Sequence, residues 1–274
     1  MATHPDLDPV ASTGRLTAAL RAVETTRDDR LFTDPFAAYL AGEEGRGLLD
    51  VFGDNSTIAV RTRFYDDALL GAAGRMRQIV IVAAGMDTRA YRLDLPADTT
   101  VFELDRPEVL DLKDRLLAAV PDGPPRPRCR RHPVGVDLAT DWSDPLRGKG
   151  FRADEPTCWL VEGLLQYLTE AAVAGLLDRI SAVSAAGSEL HIDVVGQSLL
   201  DSPAMAPLLD RFAAHHAPWL FGTDSPEDLL SSRGWHPEVT LISSVGTRLG
   251  RWPYPEVPRG TPGVGQGYFA LGTR

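Results

Sequence analysis

The stretch Gln78-Ile-Val-Ile-Val-Ala-Ala-Gly85 decides the fold class of this chain. It is a continuous run of largely β-branched, apolar residues that ends at a glycine. A strand without a polar face has to be covered on both sides, as strands of a parallel sheet are. We therefore predict that residues 78–84 form the first strand of an α/β domain.

Further strands and helices alternate downstream of this run. Strands are predicted at 100–104, 133–136, 157–161 and 189–195, with helices at 107–119 and 170–185 between them. A last pair of strands is predicted at 239–243 and 267–273. Alternation on this spacing implies right-handed crossovers and a doubly wound, mostly parallel sheet.

Helical patterns flank the strands on both sides. The first 75 residues carry apolar residues at helical spacing over 16–24, 35–41 and 57–73, with no strand candidate. Residues 196–235 are again mostly helical and rich in Pro, His and Trp, and we interpret them as a lid insertion. The whole chain, 1–274, is then one domain with N-terminal helices over 1–75.

Composition limits the partners of the protein. The 28 basic and 38 acidic residues give a formal net charge of −10, which repels phosphate backbones and anionic membranes. Two cysteines are too few for a disulfide framework, and we expect neither a metal site nor an oxidising compartment. With no signal-like N-terminus and no long apolar run, a cytoplasmic location is expected.

Small or polar residues follow each of the first four strands, at the sheet edge where open α/β folds bind ligands. Asp105 lies 20 residues after Gly85, the spacing expected for an acid that binds two ribose hydroxyls. The candidates are Gly85, then Glu103 and Asp105, then Asp137 and Leu138, and then Glu162.

The glycine loop after the first strand lacks the second and third glycines that hold a pyrophosphate, which disfavours a nicotinamide cofactor. A nucleoside without phosphate needs no such cradle. S-adenosylmethionine offers ribose hydroxyls, an adenine amine and an ammonium group to the acids. On the residues alone, acids that merely cap helices or close loops stay an alternative.

Seven phrases of the sequence resemble the leucine carboxyl methyltransferase family, above all its bacterial branch of S-adenosylmethionine-dependent methyltransferases, which includes polyketide carboxyl O-methyltransferases of the tetracenomycin type. In chain order they are Thr17-Ala-Ala-Leu-Arg-Ala-Val-Glu-Thr25, Asp34-Pro-Phe-Ala37, Val60-Arg-Thr-Arg-Phe-Tyr-Asp66, Ala84-Gly-Met-Asp-Thr-Arg-Ala-Tyr-Arg-Leu93, Phe102-Glu-Leu-Asp-Arg-Pro107, Val136-Asp-Leu138 and Glu162-Gly-Leu-Leu-Gln-Tyr-Leu168. The resemblance implies a class I methyltransferase fold, Rossmann-like, with seven strands of which one is antiparallel.

The resemblance also implies roles for single residues. Arg61 would hold the methionine carboxylate, and Glu162 would lie near the methionine ammonium. Gly85 would lie under the cofactor, with Asp87 of the same loop as a further contact. Asp105 would bind the ribose hydroxyls, Glu103 is a second candidate for them, and Asp137 and Leu138 would flank the adenine. The family usually has glycine where this chain has Ala83.

The acceptor is the open question. A carboxylate acceptor is already ionised at neutral pH and needs no base, whereas a phenol does. Candidate catalytic residues are Tyr167 and, near Trp219, His215 and His216. We expect a carboxylate of a small natural-product acid. A phenol or hydroxyl acceptor, a peptide C-terminus, or a nucleoside-binding protein without turnover are the alternatives.

Overall fold

The computed structural model describes residues 9–121, 123 and 125–274, and in them seven strands form one sheet. The strands are β1 Gln78–Val82, β2 Thr100–Asp105, β3 Arg130–Gly135, β4 Thr157–Val161, β5 Glu189–Val195, β6 His236–Leu241 and β7 Gly267–Thr273. Their order across the sheet is β3-β2-β1-β4-β5-β7-β6. Neighbours from β3 to β5 are parallel, and β7 runs antiparallel to both β5 and β6. The predicted fold is confirmed.

The apolar run at β1 reflects cover on both faces of the sheet. Ile79 and Ile81 pack into the core on one face, and Val80 and Val82 pack into the core on the other. All five residues of the strand are buried. Alternation along a strand sends successive side chains to opposite faces, so two covered faces require an unbroken apolar sequence.

Helices cover the two faces. They are α1 Pro9–Thr26, α2 Ala37–Phe52, α3 Ser56–Ala73, α4 Arg89–Arg92, α5 Pro107–Ala118, α6 Ser143–Gly148, α7 Glu170–Ala182, α8 Gln197–Leu200, α9 Ala206–Ala214, α10 Pro226–Ser231 and α11 Ile242–Arg248. The side chains of Asn55 and Thr169 cap the starts of α3 and α7, and Pro107 is the first residue of α5, as is typical of helix N-termini.

The sequence prediction differs from the structure at three strands. The strand predicted at 78–84 is β1, which ends at Val82, because the backbone turns into the left-handed region at Ala83. The strand predicted at 239–243 is β6, which ends at Leu241, and α11 begins at Ile242. Ile242 and Val245 are buried, so their spacing is that of a helix packed on the core. β3 begins three residues earlier than predicted and contains Pro133, which an edge strand paired on one side tolerates.

Among the described helices, none combines the length and the apolar character that crossing a membrane requires.

Candidate functional site

A cavity of about 440 Å³ lies at the carboxyl ends of β1 to β4. Its walls are the loops that follow these four strands, one face of α7 and the underside of α1. The volume is within the range of small-molecule sites, about 300–1,000 Å³. This is the edge at which the sequence places its candidate residues, and all of them but Glu103, His215 and His216 line the cavity.

The loop after β1 turns sharply beneath the cavity. Gly85 has a φ of +43°, and Ala83 has a φ of +54°, in the left-handed region that favours glycine. A hydrogen bond from the Asp87 N–H to the Ala84 carbonyl closes the turn at 2.8 Å. The family resemblance pointed to glycine at position 83, and the left-handed backbone supplies the physical reason.

Asp105 ties this loop to the next one. Its Oδ2 accepts a hydrogen bond from the Gly85 N–H at 2.7 Å, and its Oδ1 accepts one from the Arg106 N–H at 2.7 Å. Burial raises the pKa of Asp105, although both N–H groups favour its ionised form. The carboxylate therefore stands fixed at the cavity wall, where the predicted ribose contact would require it.

Asp137 and Leu138 form the loop after β3. The Asp137 carboxylate accepts a hydrogen bond from the Ala139 N–H at 2.8 Å, which closes an Asx turn. The described residues supply no acceptor for the Leu138 N–H. The edge of adenine has an acceptor ring nitrogen next to a donor amine. An N–H without a partner can donate to that nitrogen, and a neighbouring carboxylate can accept from the amine.

Arg61 and Glu162 hold one another at the methionine end of the predicted site. Arg61 Nε pairs with Glu162 Oε1 at 2.9 Å, and Arg89 Nη1 pairs with Glu162 Oε2 at 2.7 Å. Burial opposes ionisation of Glu162, but the two guanidinium groups outweigh it and keep the pKa of Glu162 below its usual value. A guanidinium and a carboxylate thus lie side by side, and together they can bind the carboxylate and the ammonium of a zwitterion.

Asp193, in the middle of β5, is a member of this cluster that the sequence analysis missed. Its Oδ2 pairs with Arg61 Nη1 at 3.1 Å, and its Oδ1 accepts the Gly163 N–H at 2.7 Å. A Cβ at Gly163 would lie 3.0 Å from Arg61 Nη2, and the φ of Gly163 is +65°, so both space and backbone favour glycine there. The available signal was a carboxylate between two apolar residues of a strand, Ile192 and Val194.

Asp87 belongs to a second part of the charge network. Arg89 donates to the Asp87 carboxylate and also binds Asp66 at 2.8 Å. Burial raises the pKa of Asp87, but Arg89, Lys113 and Arg92 together lower it to about 2. Asp87 lines the cavity as an ionised group committed to Arg89, so its predicted contact with the cofactor stays a prediction.

Glu103 has a different environment from the one expected. It is fully buried and pairs with Lys113 Nζ at 2.9 Å and with Arg131 at 2.8 Å, and it does not line the described cavity. It precedes Asp105 by two residues, so its side chain leaves the strand on the same side but within the core. A ribose contact from Glu103 is not supported by this placement.

Helix α1 forms the roof of the cavity. Small residues on its underside, Ala11, Thr13 and Gly14, line the site. Arg21, one or two turns further on, donates to the Met86 carbonyl at 2.6 Å and to Asp34 at 2.9 Å. Among the described residues that line the cavity, none belongs to 196–235, whereas α1 covers the site. That residues 196–235 act as a lid over the cavity therefore stays a prediction.

The three candidate catalytic residues separate in the structure. Tyr167 lines the cavity, and burial raises the pKa of its hydroxyl although Thr13 and Trp219 lower it. His215 is exposed and packs on Phe52 with ring centroids 5.1 Å apart.

His216 is exposed as well and follows the end of α9 with a φ of +57°. There the Ala217 N–H donates to the Phe212 carbonyl at 2.9 Å, as in a Schellman motif. Neither histidine lines the described cavity, which contradicts the expectation that they form its wall.

Comparison with known proteins decides the family. Residues 15–181 match the model of the family described as leucine carboxyl methyltransferase. The chain belongs to the leucine carboxyl methyltransferase family. A protein of Parafrankia sp. (strain EAN1pec) is 38% identical over 97% of this chain and 87% of its own length. One of Mycolicibacterium gilvum (strain PYR-GCK) is 36% identical over 100% and 98%. Both are named "Putative S-adenosyl-L-methionine-dependent methyltransferase".

Solved structures agree with the methyltransferase fold. A protein from Thermobifida fusca YX that is named a "putative methyltransferase" has a TM-score of 0.61 and 18% identity, over 95% of this chain and 94% of its own. A DUF574 family protein from Streptomyces avermitilis MA-4680 also has a TM-score of 0.61, with 16% identity over 96% and 97%. The methyltransferase described here uses S-adenosyl-L-methionine, and its cavity fits that group: fixed carboxylates, an unused N–H and an arginine face one space.

Ala83→Gly is expected to stabilise the methyltransferase by about 0.5–1 kcal/mol. A left-handed alanine costs about 1–2 kcal/mol, and the greater backbone freedom of glycine in the unfolded chain offsets part of what its replacement gains. Urea unfolding measures the change. Ala84→Gly, one residue on and outside the left-handed region, is the control and should destabilise. A loss of stability in Ala83→Gly would show that position 83 is not strained.

Asp105→Ala is expected to weaken binding of S-adenosylhomocysteine at least about tenfold, because two charge-assisted hydrogen bonds are lost. Isothermal titration gives the dissociation constant, and circular dichroism checks the fold. Asp98→Ala, which removes an exposed carboxylate just before β2, should leave the constant unchanged. If the two variants bind equally well, Asp105 does not contact the cofactor.

Arg61→Gln and Arg63→Gln should differ, since residues two apart on a helix point about 200° apart. Arg61 is buried against Glu162, whereas Arg63 is partly exposed and pairs with Asp67. We expect Arg61→Gln to weaken S-adenosylhomocysteine binding about tenfold or more and Arg63→Gln to change it less than about twofold. Equal losses in titration would contradict the assignment of Arg61.

Proposed function

We propose that this methyltransferase transfers the methyl group of S-adenosylmethionine to a carboxylate oxygen of a small natural-product acid. The observation that carries the proposal is the lack of a free base among the described residues of the cavity wall. When bound, the cofactor supplies a methyl group on a sulfonium, which is open to in-line attack. The protein then has to align the acceptor and exclude water, and little more.

Each carboxylate of the cavity wall has at least one partner. Asp87 and Glu162 pair with arginines, and Asp105 and Asp137 accept backbone N–H groups. The pKa values of Asp87 and Glu162 are lowered, which makes both carboxylates poor proton acceptors, while Asp105 and Asp137 are assigned to the cofactor. The raised pKa of the Tyr167 hydroxyl keeps that group protonated, so Tyr167 can donate a hydrogen bond but not take a proton.

The histidines do not fill this gap. No histidine is among the described residues that line the cavity. His191 is buried between Cys158 and Glu189, with Nδ1 3.8 Å from Sγ and Nε2 3.0 Å from the carboxylate. Burial lowers the pKa of His191, but these two neighbours raise it to about 10, which makes it a cation. An acceptor that arrives ionised, as a carboxylate does, needs no base.

The roof of the cavity is consistent with a small acceptor. Thr13 of α1 and Tyr167, which follows β4, lie close enough to interact on one side of the cavity. Their hydroxyls can donate to a carboxylate, and the aromatic ring of Tyr167 offers an apolar surface. We propose that the acceptor binds in the cavity beside these two residues.

The pH dependence of the methyl transfer tests the acceptor class. With a carboxylate acceptor, the rate should stay flat from about pH 6 to 9, because the acceptor, with its usual pKa near 4, stays ionised. Asp87, with a pKa of about 2, and Glu162, with a lowered pKa, also keep their charge there, and Tyr167 keeps its proton. A phenol acceptor would instead give a rate that climbs with pH.

The product gives an independent check. Methyl-labelled cofactor is incubated with sets of polyketide acids, phenols and peptides, and the labelled product is treated with mild alkali. A methyl ester loses its label and an aryl methyl ether keeps it. An alkali-stable product would overturn the carboxylate assignment. Cofactor binding without transfer to any set would instead favour a nucleoside-binding protein without turnover.

A further inference from the structure

Arg179 of α7 binds the loop that follows β3. Its Nη1 donates to the Leu138 carbonyl at 2.9 Å, and its Nη2 donates to the Ala139 carbonyl at 3.1 Å. The planar guanidinium thus spans two successive peptide groups, which a lysine ammonium cannot do in the same way. Arg179 also lines the cavity, together with Ala172 and Leu176 on the same face of α7.

These bonds, together with two from Thr140, give every carbonyl oxygen of residues 137–139 in this loop a partner. The Asp137 carbonyl accepts the Thr140 N–H at 3.0 Å and the Thr140 hydroxyl at 2.9 Å. With Arg179 on the next two carbonyls, all three carbonyl oxygens from Asp137 to Ala139 have partners. In this loop, whose residues 137–139 line the cavity, the described residues supply no partner for the Leu138 N–H and for one Asp137 carboxylate oxygen.

We propose that Arg179 is a positioning residue that makes the cofactor site selective for a 6-aminopurine. The proposal deepens the cofactor assignment and rests on the placement of adenine beside residues 137–139. The adenine edge has an acceptor at N1 and donors at the 6-amino group, which complement an N–H and a carboxylate oxygen. Inosine reverses both, with N1–H as donor and O6 as acceptor.

Arg179 protects this selectivity by turning two carbonyl oxygens away from the base. Without the guanidinium, the peptide after Leu138 is free to rotate and to present a carbonyl oxygen to the cavity. A carbonyl oxygen accepts the N1–H of inosine, whereas in the intact loop the position of N1 meets the Leu138 N–H, which is itself a donor. Removal of Arg179 should therefore cost binding of the adenine ligand more than binding of the inosine ligand.

The test compares S-adenosylhomocysteine with S-inosylhomocysteine by isothermal titration in four proteins: the parent, Arg179→Ala, Arg179→Lys and Arg233→Ala. Arg233 of α10 is the matched control, since it donates to the Leu229 carbonyl and to Asp178, next to Arg179 in sequence, without lining the described cavity. For each variant, the dissociation constants of both ligands are measured on one sample. A loss of folded protein then affects both measurements alike and cancels in their ratio.

The parent should prefer the adenine ligand by about a hundredfold, as expected for two mismatched polar contacts. Arg179→Ala should reduce the ratio about tenfold or more, Arg179→Lys should lie between Arg179→Ala and the parent, and Arg233→Ala should keep the ratio. Addition of free guanidinium to Arg179→Ala should restore part of the preference. An unchanged ratio in Arg179→Ala, even with weaker binding of both ligands, would overturn the proposal and leave Arg179 a wall residue.

Asp137→Ala separates this result from failure of the premise. If adenine lies beside residues 137–139, this variant also loses selectivity, because the acceptor for the 6-amino group is gone. If Asp137→Ala keeps the full ratio, the adenine lies elsewhere and the proposal fails together with its premise. Binding of S-adenosylhomocysteine to the parent protein is a separate result of the same titrations, so the cofactor assignment is tested independently of the selectivity.

Discussion

Buried guanidinium groups meet carboxylates at the carboxyl edge of the sheet, and the site depends on these pairs. Arg61 leaves α3 to pair with Glu162 after β4 and with Asp193 of β5. Arg89 joins Glu162 to Asp66 of α3. Elements far apart in sequence are thereby fixed around one cavity. Removing one partner from such a buried pair typically costs about 3–5 kcal/mol, so the cluster constrains every element that enters it.

The same cluster prepares the site for its cofactor. The amino-acid end of S-adenosylmethionine carries a carboxylate and an ammonium, and Arg61 and Glu162 already present the opposite charges next to one another. These groups have been desolvated and oriented by folding rather than by binding. A ligand that exchanges partners with an existing ion pair loses less free energy to reorganisation than one that must order flexible side chains. We infer that cofactor affinity depends on the stability of the fold, because folding has already desolvated and oriented the groups that bind the cofactor.

The sequence is most informative where a pattern is local. The strands β1, β2, β4 and β5 follow from largely apolar runs, since burial on two faces has to appear in the residues themselves. Asp193 could not be found this way, because its partner Arg61 is 132 residues away. Glu103 fails for a similar reason: the family resemblance suggested a second ribose contact, while Arg131, 28 residues on, holds Glu103 in the core. Contacts over such distances depend on topology, which a pattern of residues does not contain.

The bond from Arg21 to the Met86 carbonyl bears on how the protein can be shortened or fused. The sheet with its helices resembles a self-sufficient unit that begins near residue 75, and a designer would be tempted to cut there. Such a cut removes the roof of the cavity and the guanidinium that supports the glycine loop, and it leaves Arg89 and Arg92 without Asp66. The boundary of the smallest working unit therefore lies ahead of α1, and a fusion partner joined there would stand next to the cavity, because the first turns of α1 line it.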